Sequence, residues 1–333
     1  MRALVTGATG QVGSYIVERL AADGWSVCAL VRDPARASWL EPLGAELHAG
    51  DVLNGESFRR AASGCDAIFH TAAAITPKGG WETFRRTNID GTQIAIDAAA
   101  TAGAKLVQIS SVAVYGSGTR YREAPTDEDV PLPTLPEGAY YARSKRESEQ
   151  MVLNAHHAGK LWACAVRPDV IYGRRDRQFV PRVAGLMRYG VMPLINGGSS
   201  RLAIVHAGNV ADGAVRAIAA PMAGGNAYNL ANDFDVTVAD FVRLASEGLG
   251  KKLVTVSIPL SLARAGMAVV KGAVSLVRGR EMASHANSTL SFMSRDNPFS
   301  SERARRELGW DPPYRPQASI PEAFRWYRDN KAD

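Results

Sequence analysis

Short apolar runs alternate with longer amphipathic stretches through the first half of the chain. Arg2–Val5, Ser26–Val31, Ala45–His48, Ala67–His70, Leu106–Ser110 and Leu161–Val166 read as strands buried on both faces. Between them, Gln11–Ala22, Glu56–Ala62, Glu82–Ala102 and Tyr141–His157 carry helical periodicity. Repeated strand–helix alternation predicts an α/β fold, a doubly wound parallel sheet with helices on both faces. The Pro-rich stretch Pro125–Pro136 reads as a loop, because sheet-type sequence resumes after it. Beyond Gly173 the pattern loosens to a strand at Ala203–Val205, a helix at Val210–Ala219 and a strand at Ala227–Leu230. The remainder reads as helix and loop. The expected division is therefore a first domain over 1–173, to which 203–232 returns. A smaller, mostly helical C-terminal lobe spans 174–333, mainly 174–202 and 233–315.

One later segment bears on the surroundings of the protein. Pro259–Val277 is apolar for about twenty residues, roughly the thickness of a bilayer core. Arg264, Lys271 and Arg278 recur every seventh residue along one helix face, and a spanning helix would bury the first two in hydrocarbon. An amphipathic helix is expected instead. It caps an apolar pocket, rests as a peripheral contact on a membrane surface, or packs against the neighbouring lobe.

Composition fits a globular chain of 333 residues, with 46% hydrophobic and 22% charged positions. Three scattered cysteines, Cys28, Cys65 and Cys164, form neither a disulfide framework nor a CxxC pair. With the first strand starting almost at Met1, they point to a cytoplasmic protein. The net charge of +6 is spread along the chain, and aromatic residues do not interleave with basic ones. No nucleic-acid partner is expected. His156 and His157 are adjacent on a helix and face different directions, and no other spacing suggests a metal.

Candidate chemistry begins at Thr6-Gly7-Ala8-Thr9-Gly10-Gln11-Val12-Gly13, which follows a strand and opens a helix. Gly7 permits the turn, Gly10 lets the backbone approach a pyrophosphate, and Gly13 allows close packing of helix on strand. Free N–H groups at the helix start favour the anion. Thr9, Gln11 and Val12 complete this dinucleotide-binding turn of a Rossmann-type fold. The second strand ends Val31-Arg32-Asp33-Pro34. Arg32 suits the 2′-phosphate of NADP, the expected cofactor; Asp33, one residue on, would suit the ribose of NAD.

Ser110 and Ser111 end a strand, and Tyr141 and Lys145 lie four apart at a helix start, on one face. A nearby ammonium lowers the pKa of a phenol, and a strand-end serine holds a substrate oxygen beside it. Such a set moves a proton at a carbinol or carbonyl oxygen while hydride is exchanged with a nicotinamide.

With these motifs in place, the chain resembles an extended short-chain dehydrogenase/reductase from Ala3 to about Pro313. Gly50-Asp51-Val52, Phe69-His70-Thr71-Ala72-Ala73, Thr87-Asn88-Ile89-Asp90-Gly91-Thr92, Val166-Arg167-Pro168 with Tyr172-Gly173, and Glu307-Leu308-Gly309-Trp310 support the likeness. The resemblance implies that Asp51 and Val52 meet the adenine and that Thr71, Ala72 and Ala73 meet the cofactor backbone. It implies that Lys145 also holds the nicotinamide ribose and that Pro168 to Val170 border the carboxamide. Ser111, directly before Val112-Ala113-Val114-Tyr115-Gly116, matches the catalytic serine. The branch most resembled is that of 3β-hydroxysteroid and sterol dehydrogenases and dihydroflavonol reductases, which implies an apolar alcohol or ketone as substrate. Two other readings stand beside it. One is a nucleotide-sugar epimerase, for which Arg201 or Arg174, Arg175 and Arg177 would bind a diphosphate. The other is a dinucleotide-sensing protein without catalysis, disfavoured because both Tyr141 and Lys145 are present. The expected partners are a small molecule and a second copy of the chain.

Overall fold

The computed structural model describes residues 1–76, 79–116, 125–231, 233–265, 294 and 296–331. The strands are β1 (Arg2–Thr6), β2 (Ser26–Val31), β3 (Ala45–Ala49), β4 (Ala67–His70), β5 (Lys105–Ile109) and β6 (Ala163–Pro168). They continue with β7 (Val170–Tyr172), β8 (Val191–Ile195), β9 (Ile204–His206), β10 (Ala227–Leu230) and β11 (Val254–Ile258). The helices begin with α1 (Gln11–Ala22), α2 (Pro34–Ala37), α3 (Gly55–Ala62), α4 (Gly80–Phe84), α5 (Gly91–Ala102) and α6 (Tyr140–His157). After them come α7 (Phe179–Met187), α8 (Ala207–Ala219), α9 (Val238–Leu249), α10 (Glu302–Leu308) and α11 (Pro316–Asn330).

Seven strands form one parallel sheet in the order β10-β6-β5-β4-β1-β2-β3. The chain order reverses between β1 and β4, which makes the carboxyl edge there the crevice where doubly wound folds take their ligands. Successive residues of each strand serve opposite cores. Ala3, Val5, Phe69, Val107 and Val166 pack with α1 and α8, whereas Leu4, Ile68, Leu106 and Ala163 pack with α3, α5 and α6.

The chain forms two compact units: 1–171 with 205–233 and 299–314, and 172–204 with 234–298 and 315–333. The stretch 299–314, assigned to the second lobe from the sequence, belongs instead to the first unit. The reason is side-chain anchoring. Ala304, Leu308 and Trp310 enter the α1–α8 core, Asn229 donates to the Ser300 carbonyl, and Trp310 donates to the Asn209 carbonyl. In the second unit, β8 and β11 pair in parallel, and Phe241 of α9 packs edge-on against Phe324 of α11. Neither strand was expected there: β8 carries Pro193, and β11 is largely exposed, so neither shows a buried apolar run.

The helix expected over Glu82–Ala102 is three pieces, with a wide π turn at Arg85–Asp90 between α4 and α5. The segment Pro259–Val277 is described only through residue 265, with 260–265 helical; Lys271, Arg278 and the rest of its expected amphipathic face lie outside the described residues. No helix among the described residues is long and apolar enough to cross a membrane.

Candidate active site

The residues expected to bind the cofactor or carry the catalysis fall at or just beyond the carboxyl end of a strand of the main sheet, or on the helix that follows. Gly7, Thr9, Gly10, Gln11, Val12 and Gly13 form the turn from β1 into α1. Gly7 has φ +65°, and a Cβ there would stand 2.7 Å from Thr71 Oγ1 and 2.8 Å from the Ala72 nitrogen. At Gly13 a Cβ would lie 2.3 Å from the Gly7 carbonyl oxygen. Only glycine fits both places.

The first turn of α1 has no side-chain cap and no acidic residue, and Gln11 Nε2 is buried without a hydrogen-bond partner. Donors left over at a positive helix end are what an anionic pyrophosphate takes up. The cradle fits a dinucleotide. Its floor is cross-braced: Thr71 Oγ1 donates to the Thr6 carbonyl at 2.7 Å, and Thr6 Oγ1 lies 2.9 Å from His70 Nδ1. His70 is fully enclosed, and burial, assisted by the charge on Lys145, lowers its pKa to about 3.

After β2, Arg32 is exposed and engaged in no hydrogen bond or ion pair among the described residues. Asp33 has a structural task, accepting from the Arg36 backbone nitrogen at 3.2 Å to cap α2. Asp51 and Val52 follow β3, and the Asp51 carboxylate accepts from the Leu53 nitrogen at 2.9 Å. Thr71, Ala72 and Ala73 follow β4, while Pro168 ends β6 and Val170 opens β7.

Ser111 follows β5 and caps the 3-10 turn Val112–Tyr115 by accepting from the Ala113 nitrogen at 3.1 Å. Its hydroxyl neighbours the Tyr141 phenol in the first turn of α6. Burial raises the Tyr141 pKa above its ordinary value, with the Ser111 hydroxyl opposing. Lys145 lies one turn on, 4% exposed, and donates to the Ile109 carbonyl at 2.5 Å. Burial lowers its pKa to about 8, against the pull of Glu149. The expectation that Lys145 lowers the phenol pKa is not met in this structure. The ammonium is turned to a strand-end carbonyl, and enclosure of the ring sets the direction of the Tyr141 shift.

Three residues not named individually as site residues from the sequence matter here. Asn88, at the π turn, accepts from the Ala74 nitrogen at 2.7 Å and donates to the Ser144 hydroxyl at 2.9 Å. A side chain so placed links the segment after β4 to α6. Its signal was a run of polar residues, Thr87-Asn88, inside an apolar helical pattern. Arg167 forms a buried pair with Glu149 at 2.6 Å and donates to the Tyr115 hydroxyl at 2.7 Å, bracing α6 against β6. Asp169, between Pro168 and Val170, accepts from the Val170 nitrogen with one oxygen while the other is buried without a hydrogen-bond partner. Burial raises its pKa to about 8.

Comparison with known proteins agrees with this arrangement. Residues 3–231 match the NAD dependent epimerase/dehydratase family. A Stigmatella aurantiaca protein, 4-hydroxy-2-methyl-3-oxo-4-farnesyl-3,4-dihydroquinoline-1-oxide ketoreductase, is 31% identical over 93% of this chain and 92% of its own. A 3-beta-hydroxysteroid dehydrogenase of Mycolicibacterium neoaurum is 28% identical over 98% of this chain and 92% of its own. The crystal structure of gox2253 superposes with a TM-score of 0.75 at 29% identity, covering 98% of both chains. The chain thus belongs to the NAD dependent epimerase/dehydratase family, within the hydroxysteroid-dehydrogenase-like branch of the extended short-chain dehydrogenases/reductases, and is an NAD(P)-dependent oxidoreductase of CH–OH and carbonyl groups.

Proposed function

We propose that the protein interconverts a ketone and its secondary alcohol on a largely apolar molecule of sterol, terpenoid or aromatic type, with NADP preferred to NAD. The observation that carries this reading is the meeting of the Ser111 hydroxyl and the Tyr141 phenol, one helical turn from the buried Lys145. A bound nicotinamide supplies or accepts the hydride. The Ser111 oxygen accepts from the Ala113 nitrogen, which orients its own O–H toward the phenol and the substrate oxygen. As the carbonyl carbon gains hydride, Tyr141 gives its proton to the oxygen and is reprotonated from solvent. A phenol whose pKa is raised by burial is a full proton donor at neutral pH, which favours reduction. Lys145, still largely charged near neutrality, is placed to hold the nicotinamide ribose.

An apolar substrate is supported by the names of the relatives, a ketoreductase of a farnesylated quinoline and a hydroxysteroid dehydrogenase. Two of the four arginines considered for a diphosphate are engaged elsewhere: Arg201 faces Asp235 at 3.4 Å and Arg174 faces Glu322 at 3.4 Å. Preference for NADP is supported by the exposed Arg32 and by the capping task of Asp33.

The test is NADPH-dependent reduction of a panel of prenylated aromatic ketones and oxosteroids by the native protein and Tyr141→Phe. The variant should retain NADPH affinity while the rate falls by about 10² or more. Near-normal turnover by Tyr141→Phe would remove the assigned role. Thermal stabilisation of the NADP-loaded protein by UDP or dTDP, and by no apolar ligand, would replace the substrate class with a nucleotide sugar.

A further inference from the structure

Away from the carboxyl-edge residues, the sheet gathers a second set of chemically capable side chains. Cys28 in β2 is the register partner of Glu46 in β3, and Leu30 is the partner of His48. Glu46 and His48 are two apart on one strand and therefore share a face. The Cys28 sulfur, a Glu46 carboxylate oxygen and a His48 ring nitrogen all lie within 4.8 Å of one another. The contacts inside the group bear this out: His48 Nε2 is buried and stands 3.1 Å from Glu46 Oε1, and the Cys28 sulfur lies 3.8 Å from Glu46 Oε2.

We propose that Cys28, His48 and Glu46 form a binding site for a thiophilic divalent cation, of which zinc is the natural candidate. A sulfur, an imidazole and a carboxylate, with water as the fourth ligand, make a donor set that suits tetrahedral zinc. Zinc bonds of about 2.0–2.3 Å require donor atoms about 3.3–3.8 Å apart, so the observed spread closes with small side-chain movements. The position also allows entry. β3 is the edge strand of the sheet, and the Glu46 side chain is 61% exposed while the Cys28 thiol is buried. A cation here would clamp the edge strand to β2.

Arg2 holds the metal-free form together. Its Nε donates to the Cys28 sulfur at 3.0 Å, and its Nη2 donates to Glu46 at 3.0 Å. On binding, the Cys28 thiol releases its proton to solvent as the sulfur–metal bond forms, and the guanidinium swings out toward water. Arg2 is thus a built-in competitor for the site. Sequence spacing conceals the set, because Cys28 lies on a different strand from Glu46 and His48 and the three form no recognisable metal motif.

The full-length protein, reduced and stripped of metal with a chelator, is titrated with cobalt(II) and then with zinc. A near-ultraviolet thiolate-to-cobalt charge-transfer band should appear, zinc should abolish it at one equivalent, and native mass spectrometry should show one zinc per chain. Cys28→Ser should remove the band and weaken zinc by at least the roughly 10–100-fold that even an outer-shell partner costs. His48→Ala, at a partly exposed position, reads the same loss should Cys28→Ser not fold. Arg2→Gln should strengthen zinc binding. No charge-transfer band, zinc binding unchanged by these ligand variants, or weaker zinc binding in Arg2→Gln would overturn the proposal.

Discussion

The side-chain amide of Asn88 donates to the Ser144 hydroxyl at 2.9 Å, and that hydroxyl in turn donates to the Tyr141 carbonyl at 2.9 Å. The same amide group grips both backbone polar atoms of Ala74, at 2.7 and 3.1 Å. One buried side chain at the π turn therefore fixes two things at once: the course of the segment after β4 and the first turn of α6. Asn88→Ala leaves buried polar groups unpaired, and stability should fall by about 1–3 kcal/mol. Because the Tyr141 turn loses a support, kcat should fall as well, although Asn88 touches no reacting atom. Urea unfolding and steady-state kinetics on the same preparation check both. A variant as stable as the native protein would dismiss the bracing role.

Where local rules coincide with the fold, the sequence is legible. The turn from β1 into α1 could be read because Gly7 and Gly13 answer steric demands that no other residue meets. The buried strands announced themselves as continuous apolar runs, and Tyr141 with Lys145 needed only helical spacing. The π turn at Arg85–Asp90 was not legible, since periodicity continues through it and only the tertiary bonds of Asn88 reveal why the helix widens. The direction of the Tyr141 shift was equally hidden. Spacing puts a lysine one turn away but does not say that its ammonium faces Ile109. Nor could Asp33 be distinguished from a ribose ligand until its carboxylate was seen capping α2.

Lys145 imposes a cost on the folded state that its substitution should reveal. Its pKa is about 8 in the folded protein against 10.5 unperturbed, because burial disfavours the charge. The unfolded chain holds the proton more tightly between those values, so this group makes stability rise with pH from about 8 to about 10.5. Below that window the penalty is complete. Lys145→Met removes it, leaving the lost bond to Ile109 as an offset, for a net gain of about 1–2 kcal/mol at neutral pH. The gain should vanish above the window, and activity should be lost throughout. Thermal unfolding of both proteins across this pH range is the measurement; a variant less stable at neutral pH would contradict the assignment.

His70 works in the opposite pH range. Buried neutral, with a folded pKa of about 3 against 6.5, it contributes stability that is present above 6.5 and lost as pH falls toward 3. The slope attributable to one such proton is about 1.4 kcal/mol per pH unit within the window. His70→Gln eliminates the titration while leaving a polar side chain for the Thr6 hydroxyl. Urea midpoints taken from pH 7 to pH 4 should therefore fall less steeply for the variant. Parallel acid limbs for the two proteins would show that His70 is not the group responsible.

Cofactor preference rests on Arg32, and the arrangement around it makes a directional prediction. Its guanidinium is exposed and unengaged among the described residues, while the adjacent Asp33 carboxylate is held by the α2 cap. A charge-assisted bond from Arg32 to a 2′-phosphate is worth about 1.5–3 kcal/mol, or roughly ten- to a hundredfold in preference. Arg32→Ala should erode NADPH affinity by that factor and leave NADH affinity nearly unchanged, as read by nucleotide fluorescence titration. Asp33→Asn preserves the cap, since asparagine also accepts from the Arg36 nitrogen, and it lifts a negative charge away from the incoming phosphate. It should therefore strengthen NADPH modestly without touching NADH. If Asp33→Asn instead weakens NADH while Arg32→Ala leaves NADPH intact, the carboxylate reads the ribose after all, and the preference runs to NAD.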